Sequence, residues 1–346
     1  CRKSFRKETS LLQHLQNKKD KAHEEYRENQ QQQEKKKERQ EKTQQQEKAR
    51  HYDMRHLSQA EETIVRNHLN SPHAKSANQL SKVLVERFKI PMTMKKILSL
   101  EESEWLNDEV VNFYLQLVQE RSNETGQLNV HIHNTFFFSK LMENNKYQYG
   151  NVRRWTRKID LFDKDVVLVP VNYENIHWAL GVALMKSRRL ILLDSSENTS
   201  RRVYTLSSLR KYFTDEYLDK KKAKDSESWD ISHMKKIPRQ RNDDDCGVFT
   251  CANALCVVSG IGLDYAQKDI PLFRKHMLLS ILGERIHETW RSGSFSMLPS
   301  GCVETENKMM VNSSSLDDDD DDDDDEKKSK ILSSASTSKK KSKKPY

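Results

Sequence analysis

Residues 166–194 read VVLVPVNYENIHWALGVALMKSRRLILLD, and this stretch decides the fold. It holds three apolar runs, 166–171, 178–184 and 190–193, which are each shorter than a typical helix and are separated by polar, turn-forming residues. β-Branched residues are enriched in these runs, as is usual in strands. The stretch therefore predicts three buried strands that pair as neighbours in one sheet.

Helical patterns lie on both sides of this stretch in the sequence. Apolar residues recur at helical spacing in 105–118, and Ser58 followed by Glu61 has the form of a capping box ahead of an apolar pattern. The patterns predict further helices at 204–213, 247–259 and 270–290, and a further short strand at 136–138. Helices, then adjacent strands, then helices again indicate an α+β fold rather than alternating βαβ units.

The composition of the whole chain averages over unlike parts. Its 346 residues are 35% hydrophobic and 32% charged, which is apolar-poor and charge-rich for a globular domain. Residues 57–292 have an ordinary density of apolar residues and are predicted to form one domain. No apolar run reaches the roughly 18 residues of a transmembrane helix, so we expect no membrane partner. Five cysteines in so long a chain do not indicate a disulfide framework, which favours a reducing compartment.

The excess charge belongs to the two flanks of this domain. Residues 24–56 are predicted to be a charged linker, either a solvated helix or disordered, because 24–50 has neither an apolar face nor a coiled-coil heptad. Residues 293–346 are predicted to be a disordered tail, with an acidic run at 317–325 followed by lysine-rich segments. The tail is either simply solvated or a nuclear-import address or docking arm, so the nucleus, with or without the cytoplasm, is the expected location. The net charge of +8 permits weak nucleic-acid contact through the basic N-terminal segment.

The first 23 residues contain a pattern similar to part of a zinc finger. Cys1 and His14, with two apolar residues between them, have the spacing of the second half of a Cys2His2 finger. The next histidine, His23, comes too late for the common pattern, so residues 1–23 are either a truncated or degenerate finger or a basic helix. These residues cannot complete a four-ligand metal site. Because the chain does not begin with Met, we expect it to be part of a longer protein.

One cysteine lies where a charged loop meets an apolar helix. Cys246 follows Asp243, Asp244 and Asp245 and directly precedes the predicted helix 247–259, whose positive end favours a thiolate. The three aspartates oppose that effect, so the loop alone does not make a reactive thiol. A nucleophilic cysteine here needs a histidine base that a third group orients.

His177 and Asp194 are the candidate partners of this cysteine. His177 precedes the second predicted strand and Asp194 follows the third, so pairing of these strands brings the two side chains together. Taken singly, each residue is more often structural, as a histidine before a strand, a turn aspartate or a buried cysteine. Gln240 lies on the loop before Cys246, where its amide and the Cys246 N–H can bind a developing oxyanion. This fourth residue shifts the balance toward a nucleophilic site.

Together these residues resemble the active-site signature of the SUMO-specific cysteine proteases, also called ubiquitin-like-protein proteases or sentrin-specific proteases. The signature comprises His177-Trp178, the strand-ending Asp194, Gln240 and Cys246-Gly247. Three further motifs resemble the family in order and position, namely WLNDEVVNFY at 105–114, NTFFF at 134–138 and RWT at 154–156. The resemblance extends from about Leu57 to Arg291.

The resemblance implies a papain-like cysteine protease fold, with a central mixed sheet flanked by helices, and no cofactor. It implies that Cys246 is the nucleophile, His177 the general base and acid, Asp194 the orienting carboxylate and Gln240 an oxyanion donor. It further implies that Trp105 and Trp178 roof a narrow channel for a Gly-Gly tail, and that the modifier body is contacted by Asp108, Phe136, Arg154 and Trp155. From the residues alone, Phe136 and Trp155 could equally be core, and Asp108 a simple helix N-terminal charge.

The implied function is a nuclear thiol protease that cleaves after the C-terminal Gly-Gly of SUMO, in precursors or in lysine conjugates. One alternative is a protease of the same fold for another modifier, such as the Nedd type. Another is a non-enzymatic SUMO-binding pseudoprotease whose basic arm contacts nucleic acid, although the intact signature argues against it. The sequence departs from the family pattern at Asp243 and Asp244, where the family usually has a glycine and a small residue. We expect this added negative charge to affect the rate more than the chemistry.

Overall fold

The structure is a computed structural model that describes residues 54–196, 198–224, 228–234, 236–289 and 303–305. The predictions for 1–23, for 24–53 and for most of 293–346 lie outside the described residues. The described helices are α1 (Gln59–Leu69), α2 (Ala77–Leu80), α3 (Met94–Ile97), α4 (Asp108–Thr125), α5 (Phe136–Leu141), α6 (Tyr149–Val152), α7 (Thr199–Lys221), α8 (Cys246–Val258) and α9 (Ile270–Leu282). The strands are β1 (Val83–Arg87), β2 (Ile90–Thr93), β3 (Val130–Ile132), β4 (Val166–Tyr173), β5 (His177–Leu184), β6 (Arg189–Leu193), β7 (Asp230–Met234) and β8 (Val303–Thr305).

A mixed sheet with the strand order β3-β4-β5-β6-β7-β8 forms the centre of the fold. Strands β4, β5 and β6 are antiparallel neighbours, and β3 and β7 pair in parallel with β4 and β6. Strand β8 pairs antiparallel with β7, while β1 and β2 form a separate hairpin. The three strands predicted within 166–194 are thus confirmed, as is the α+β class.

Each face of the sheet is covered by its own hydrophobic core. Because successive side chains of a strand point to opposite faces, Leu168 packs in a core with α4, α8 and α9, and its neighbour Val167 packs in a core with α5 and α7. Burial on both faces explains why these strands are continuous apolar runs in the sequence rather than alternating ones.

Helix α8 is the best-buried helix near the sheet. Every residue from Cys246 to Val258 is buried, and the helix packs between strand β5 and helix α4. Gly260 follows its C-terminal end with φ of 63°, a left-handed conformation that glycine adopts without a Cβ clash. The core therefore fixes the position of Cys246 at the first turn of this helix.

Several predicted element boundaries are wrong. Residues 136–138 are not a strand but the start of α5, since the Asn134 side chain accepts a hydrogen bond from the Phe136 N–H at 3.0 Å and the Asn134 carbonyl accepts one from Phe137. The helix predicted from 105 begins instead at Asp108, because Asn107 caps it by accepting from the Val110 N–H. The helix predicted at 204–213 extends over the whole of α7, and the helix predicted to reach 290 ends at Leu282.

The first described residues are joined to the segment that follows α9. Ser58 and Glu61 form the predicted capping box of α1, which is confirmed. Just before it, Met54 is buried in the core, and Arg55 donates its backbone N–H to the carbonyl of Thr289. Within the part of the chain that the structure describes, no helix combines the length and apolarity needed to cross a bilayer.

Candidate active site

The thiol, the imidazole and the carboxylate predicted from the sequence lie together at one edge of the sheet. Strands β5 and β6 are antiparallel, so His177 at the start of β5 lies beside Asp194, which directly follows β6. The Nε2 atom of His177 is 2.7 Å from Oδ1 of Asp194, and both side chains are buried. His177 is also hydrogen-bonded to the side chain of Cys246, the first residue of α8. Because Asp194 engages Nε2, Nδ1 is the ring nitrogen available to the thiol.

The electrostatics of this trio favour a protonated imidazole beside a carboxylate. Burial alone would lower the pKa of His177, but its hydrogen bonds with Asp194 and Cys246 outweigh burial and raise that pKa to about 9. Burial opposes ionisation of Asp194, yet the hydrogen bonds from His177 and from the Ser196 backbone hold its pKa below the usual value. An imidazolium at neutral pH can stabilise a thiolate at Cys246, as the N-terminus of α8 also does.

We expect catalysis to decline as the pH rises through about 9, where His177 loses its proton. The raised pKa of His177 also stabilises the folded state. This contribution is complete below the unfolded pKa of about 6.5, and it is lost as the pH rises through the folded pKa. In an Asp194→Asn variant the decline is expected at lower pH, because the main group that raises the pKa is gone. Measuring kcat/KM from pH 6 to 10 for both proteins checks this, and an unchanged basic limb in the variant would contradict it.

Of the three aspartates before Cys246, Asp245 does not act as an uncompensated charge. Its Oδ1 accepts hydrogen bonds from Nε and Nη2 of Arg274 at 3.0 Å and 2.6 Å, and this pair is buried. Asp243 is exposed to solvent and Asp244 is partly so. The expected opposition to the thiolate therefore comes from Asp243, which solvent screens, and from Asp244, whose Oδ2 is buried, rather than from all three aspartates.

The predicted oxyanion donor Gln240 lies on the loop that leads to Cys246, and two neighbours hold its amide. Its Oε1 accepts a hydrogen bond from the Ser195 hydroxyl at 2.6 Å, and its Nε2 donates to the carbonyl of Asn242 at 2.6 Å. Its backbone N–H also donates to the Ser195 carbonyl. The amide nitrogen carries a second hydrogen, and this is the donor that an oxyanion role requires.

Gly247, next to the nucleophile, allows α8 to approach the segment around Trp105. A Cβ at Gly247 would lie 3.0 Å from Cβ of Leu106 and 3.2 Å from Cδ1 of Trp178. Trp178 is buried, whereas Trp105 exposes 48% of its surface. Trp178 therefore lies directly against the N-terminus of α8, and Trp105 is the sequence neighbour of Leu106, which also lies against it.

We expect Gly247→Ala to lower kcat/KM about tenfold, because a shift of a few tenths of an ångström in Leu106 or Trp178 misplaces the substrate tail relative to the thiol. The free energy of unfolding should change by less than about 1 kcal/mol, since alanine favours a helix and offsets part of the steric cost. Steady-state kinetics and denaturant unfolding measure the two effects. A variant that is destabilised but fully active would contradict this account.

The residues predicted to contact a modifier lie on the surface. Phe136 exposes 52% of its surface and Trp155 exposes 38%, so neither is a core residue. The Trp155 ring packs edge-on against Phe137, the buried neighbour of Phe136, at 5.7 Å between ring centroids. Arg154 is exposed, and Asp108 is half-buried in the first turn of α4.

Sequence reasoning missed three residues that hold this site together. Ser196 donates both its N–H and its hydroxyl to Oδ1 of Asp194, each at 2.9 Å, and Ser195 orients Gln240. Two serines directly after a strand-ending aspartate could have served as the signal, because such residues commonly bind nearby turn groups. Arg274 gave no such signal, because a single arginine in an amphipathic helix usually lies on the surface.

Among the residues that the structure describes, no group of three or more His, Cys, Asp or Glu side chains could hold a metal ion.

The fold and this arrangement define a papain-like cysteine protease as the class of protein. Residues 104–286 match the Ulp1 protease family, C-terminal catalytic domain, and the chain belongs to this family.

Known relatives and solved structures are similar to the same part of the chain. A sentrin-specific protease of Caenorhabditis elegans is 38% identical over 207 residues, which are 59% of this chain and 29% of the relative. Sentrin-specific protease 2 of Homo sapiens is 35% identical over 207 residues, which are 59% of this chain and 34% of the relative. The chain thus spans well under two thirds of the length of both. The X-ray structure of the C-terminal Ulp1 protease domain in complex with SMT3, the yeast ortholog of SUMO, matches with a TM-score of 0.57 and 26% identity, over 66% of this chain and 97% of that one.

Proposed function

We propose that this protein is a thiol protease that cleaves after the C-terminal Gly-Gly of SUMO, in precursors or in conjugates with lysine side chains. The observation that carries the proposal is the hydrogen-bonded trio of Cys246, His177 and Asp194 at the sheet edge. Its support from relatives is that sentrin-specific proteases, and a Ulp1 domain solved in complex with a SUMO ortholog, are similar to this chain.

The proposed reaction has two stages. The Cys246 thiolate attacks the carbonyl carbon of the terminal glycine, and the resulting oxyanion is bound by the Cys246 N–H and the Gln240 amide. Imidazolium at His177 then donates its proton to the leaving amine as the C–N bond breaks, which leaves a thioester. Next, His177 takes a proton from the water molecule whose oxygen attacks the thioester carbon. The C–S bond then breaks, which restores the Cys246 thiolate beside the imidazolium, and the new carboxylic acid loses its proton to solvent.

Specificity for Gly-Gly is proposed to be steric. A tail that passes between the exposed Trp105 and the buried Trp178 must have residues without side chains, since α8 already packs tightly there at Gly247. The body of the modifier would rest on the exposed aromatic surface of Phe136 and Trp155. Asp108 and Arg154 would add charged contacts at its rim.

Probes that carry a thiol-reactive group after Gly-Gly test this proposal. We expect a covalent adduct with a SUMO probe, none with a Nedd-type probe, and none with either probe in a Cys246→Ser variant. Labelling by the Nedd-type probe alone would show that the substrate is the Nedd-type modifier rather than SUMO. Binding of SUMO without labelling by either probe would favour the pseudoprotease alternative.

We also propose a nuclear location and a weak nucleic-acid contact for the flanking segments. Lysine-rich residues near 339–344 and the basic residues of 1–23 support these two proposals through their composition. Replacing the lysines of 339–344 by glutamine should move a tagged protein out of the nucleus. Deleting 1–23 should weaken DNA retention at low salt, and an unchanged result in either test contradicts that proposal.

A further inference from the structure

Arg274 is a fully buried charged residue that the proposed reaction does not use. It lies on α9, it is only 2% exposed, and it is among the largest fully buried side chains of the described residues. Burying a guanidinium is costly unless it is paired and its donors are bound. The contacts that compensate for this burial show what the side chain holds in place.

On one side, Arg274 holds the loop that ends at the nucleophile. Its Nε and Nη2 donate to Oδ1 of Asp245, and Nη2 also lies 3.4 Å from the carbonyl of Asp244. The other oxygen of Asp245, Oδ2, accepts from Nδ2 of Asn242 at 2.7 Å and from Nε2 of Gln267 at 2.6 Å. The carboxylate next to Cys246 is thereby fixed in place on both of its oxygens.

On the other side, Arg274 holds the segment that ends at Trp105. Its Nη1 donates to the carbonyls of Ser99 and Glu101 at 3.1 Å and 2.9 Å, and its Nη2 donates to the carbonyl of Glu104 at 2.9 Å. Glu104 directly precedes Trp105. One guanidinium therefore joins two loops that are far apart in sequence, one leading to Trp105 of the proposed channel and the other to the nucleophile Cys246.

The same two segments meet at a second point, where Gly247 packs against Leu106. Leu106 follows Trp105, and Gly247 follows Cys246. Trp105 therefore lies between Glu104 and Leu106, and Cys246 lies between Asp245 and Gly247, and these four neighbours link the two segments. The links restrict any change in the distance between Trp105 and the Cys246 thiol. The contact between Gly247 and Leu106 depends on packing alone. The link between Asp245 and Glu104 is made by the hydrogen bonds of Arg274.

We infer that Arg274 is a positioning residue that fixes the position of Trp105, and with it one wall of the proposed channel, relative to the nucleophile Cys246. This inference rests on the proposed function, because it assigns the channel to the Gly-Gly tail. The planar guanidinium is required, since three of its nitrogens donate to acceptors on two chain segments and a lysine ammonium cannot span them. A purely electrostatic role, neutralising Asp245, would need only the positive charge.

Arg274→Lys separates these two roles. If Arg274 positions the channel, kcat/KM for a Gly-Gly substrate falls by about 10- to 100-fold, while alkylation of Cys246 by iodoacetamide changes far less. Amide hydrogen exchange should quicken in 99–106 and in 242–246 and stay unchanged in the core strands. A background with Cys1→Ser and Cys302→Ser, together with peptide mass spectrometry, assigns the alkylation to Cys246.

Two further variants keep the test decisive. Asp245→Asn removes the carboxylate charge. If Arg274 acts only by neutralising this charge, cleavage by the variant should be equal or faster. If Arg274 positions the two loops, cleavage should be slower, and amide exchange should quicken in the same segments as in Arg274→Lys. Leu278→Ala, a fully buried core residue on the same helix, is the matched control for general loss of stability. It should lower Tm without a selective change in exchange at 99–106.

The inference would be overturned if Arg274→Lys kept full activity. It would also be overturned if cleavage by Arg274→Lys were slowed no more than cleavage by Leu278→Ala when the two variants have equal Tm. If the wild-type protein cleaves no modifier at all, the proposed function fails on its own. The exchange measurements need no substrate, so they still decide whether Arg274 holds the two loops.

Discussion

Cys246→Ala is expected to reduce cleavage by a factor of about 10⁴ or more, to the detection limit of the assay. The Cys246 thiol is the group that forms the acyl-enzyme in the proposed reaction, and loss of the nucleophile from a coupled set removes nearly all catalysis. Alanine fits the buried start of α8, because the change removes one sulfur atom and no backbone contact. The measurement is steady-state hydrolysis of a modifier with a fluorogenic leaving group after Gly-Gly.

A matched control for this variant is Cys251→Ala. Cys251 is buried on the same helix, and burial raises the pKa of its thiol, so it is a core residue rather than a nucleophile. Its replacement should lower stability modestly and leave kcat nearly unchanged. If cleavage survives in Cys246→Ala but disappears in Cys251→Ala, the nucleophile is Cys251 and the assignment to Cys246 is wrong.

Asp194→Asn is expected to lower kcat by about 10² to 10⁴ with a smaller effect on KM. Oδ1 of Asp194 accepts from His177 and from Ser196, and it fixes the imidazole so that its other nitrogen faces the thiol. An asparagine can present an N–H there instead of an acceptor, which favours the wrong histidine tautomer. Rapid-quench or stopped-flow measurement of acylation isolates the affected step.

Ser196→Ala provides the graded comparison for this second variant. It removes one hydroxyl that contacts both Asp194 and His177 but keeps the carboxylate, so the loss should be about tenfold or less. Equal losses in the two variants would mean that the carboxylate charge contributes little to catalysis. A normal rate in Asp194→Asn would exclude Asp194 from the catalytic trio.

The sequence allowed three central strands and the proximity of His177 and Asp194 to be predicted because both depend on local patterns, whereas the catalytic role of Cys246 was implied by the family resemblance. Three apolar runs with short separations specify neighbouring strands, and neighbouring antiparallel strands bring His177 and Asp194 together without any long-range guess. Cys246 could be placed because a charged loop before a long apolar segment marks a helix start.

What the sequence did not reveal depends on contacts between distant segments. Phe136 to Phe138 look like a strand, but side-chain and backbone acceptors of Asn134 start a helix there and turn Phe136 outward. Arg274 looks like a surface charge, and only the folded arrangement shows that its acceptors come from residues near 100 and 245. Propensity and periodicity carry no information on such pairings.

The most direct test of the proposed function is the hydrolysis of SUMO that carries a C-terminal extension, in a mixture with an equimolar Nedd-type fusion. Intact-mass spectrometry of the products identifies the bond that breaks. We expect the wild-type protein to release the extension from SUMO after the second glycine and to leave the Nedd-type fusion intact, with no product from Cys246→Ala. Cleavage at any other bond, cleavage of the Nedd-type fusion alone, or product formation by Cys246→Ala would contradict the account.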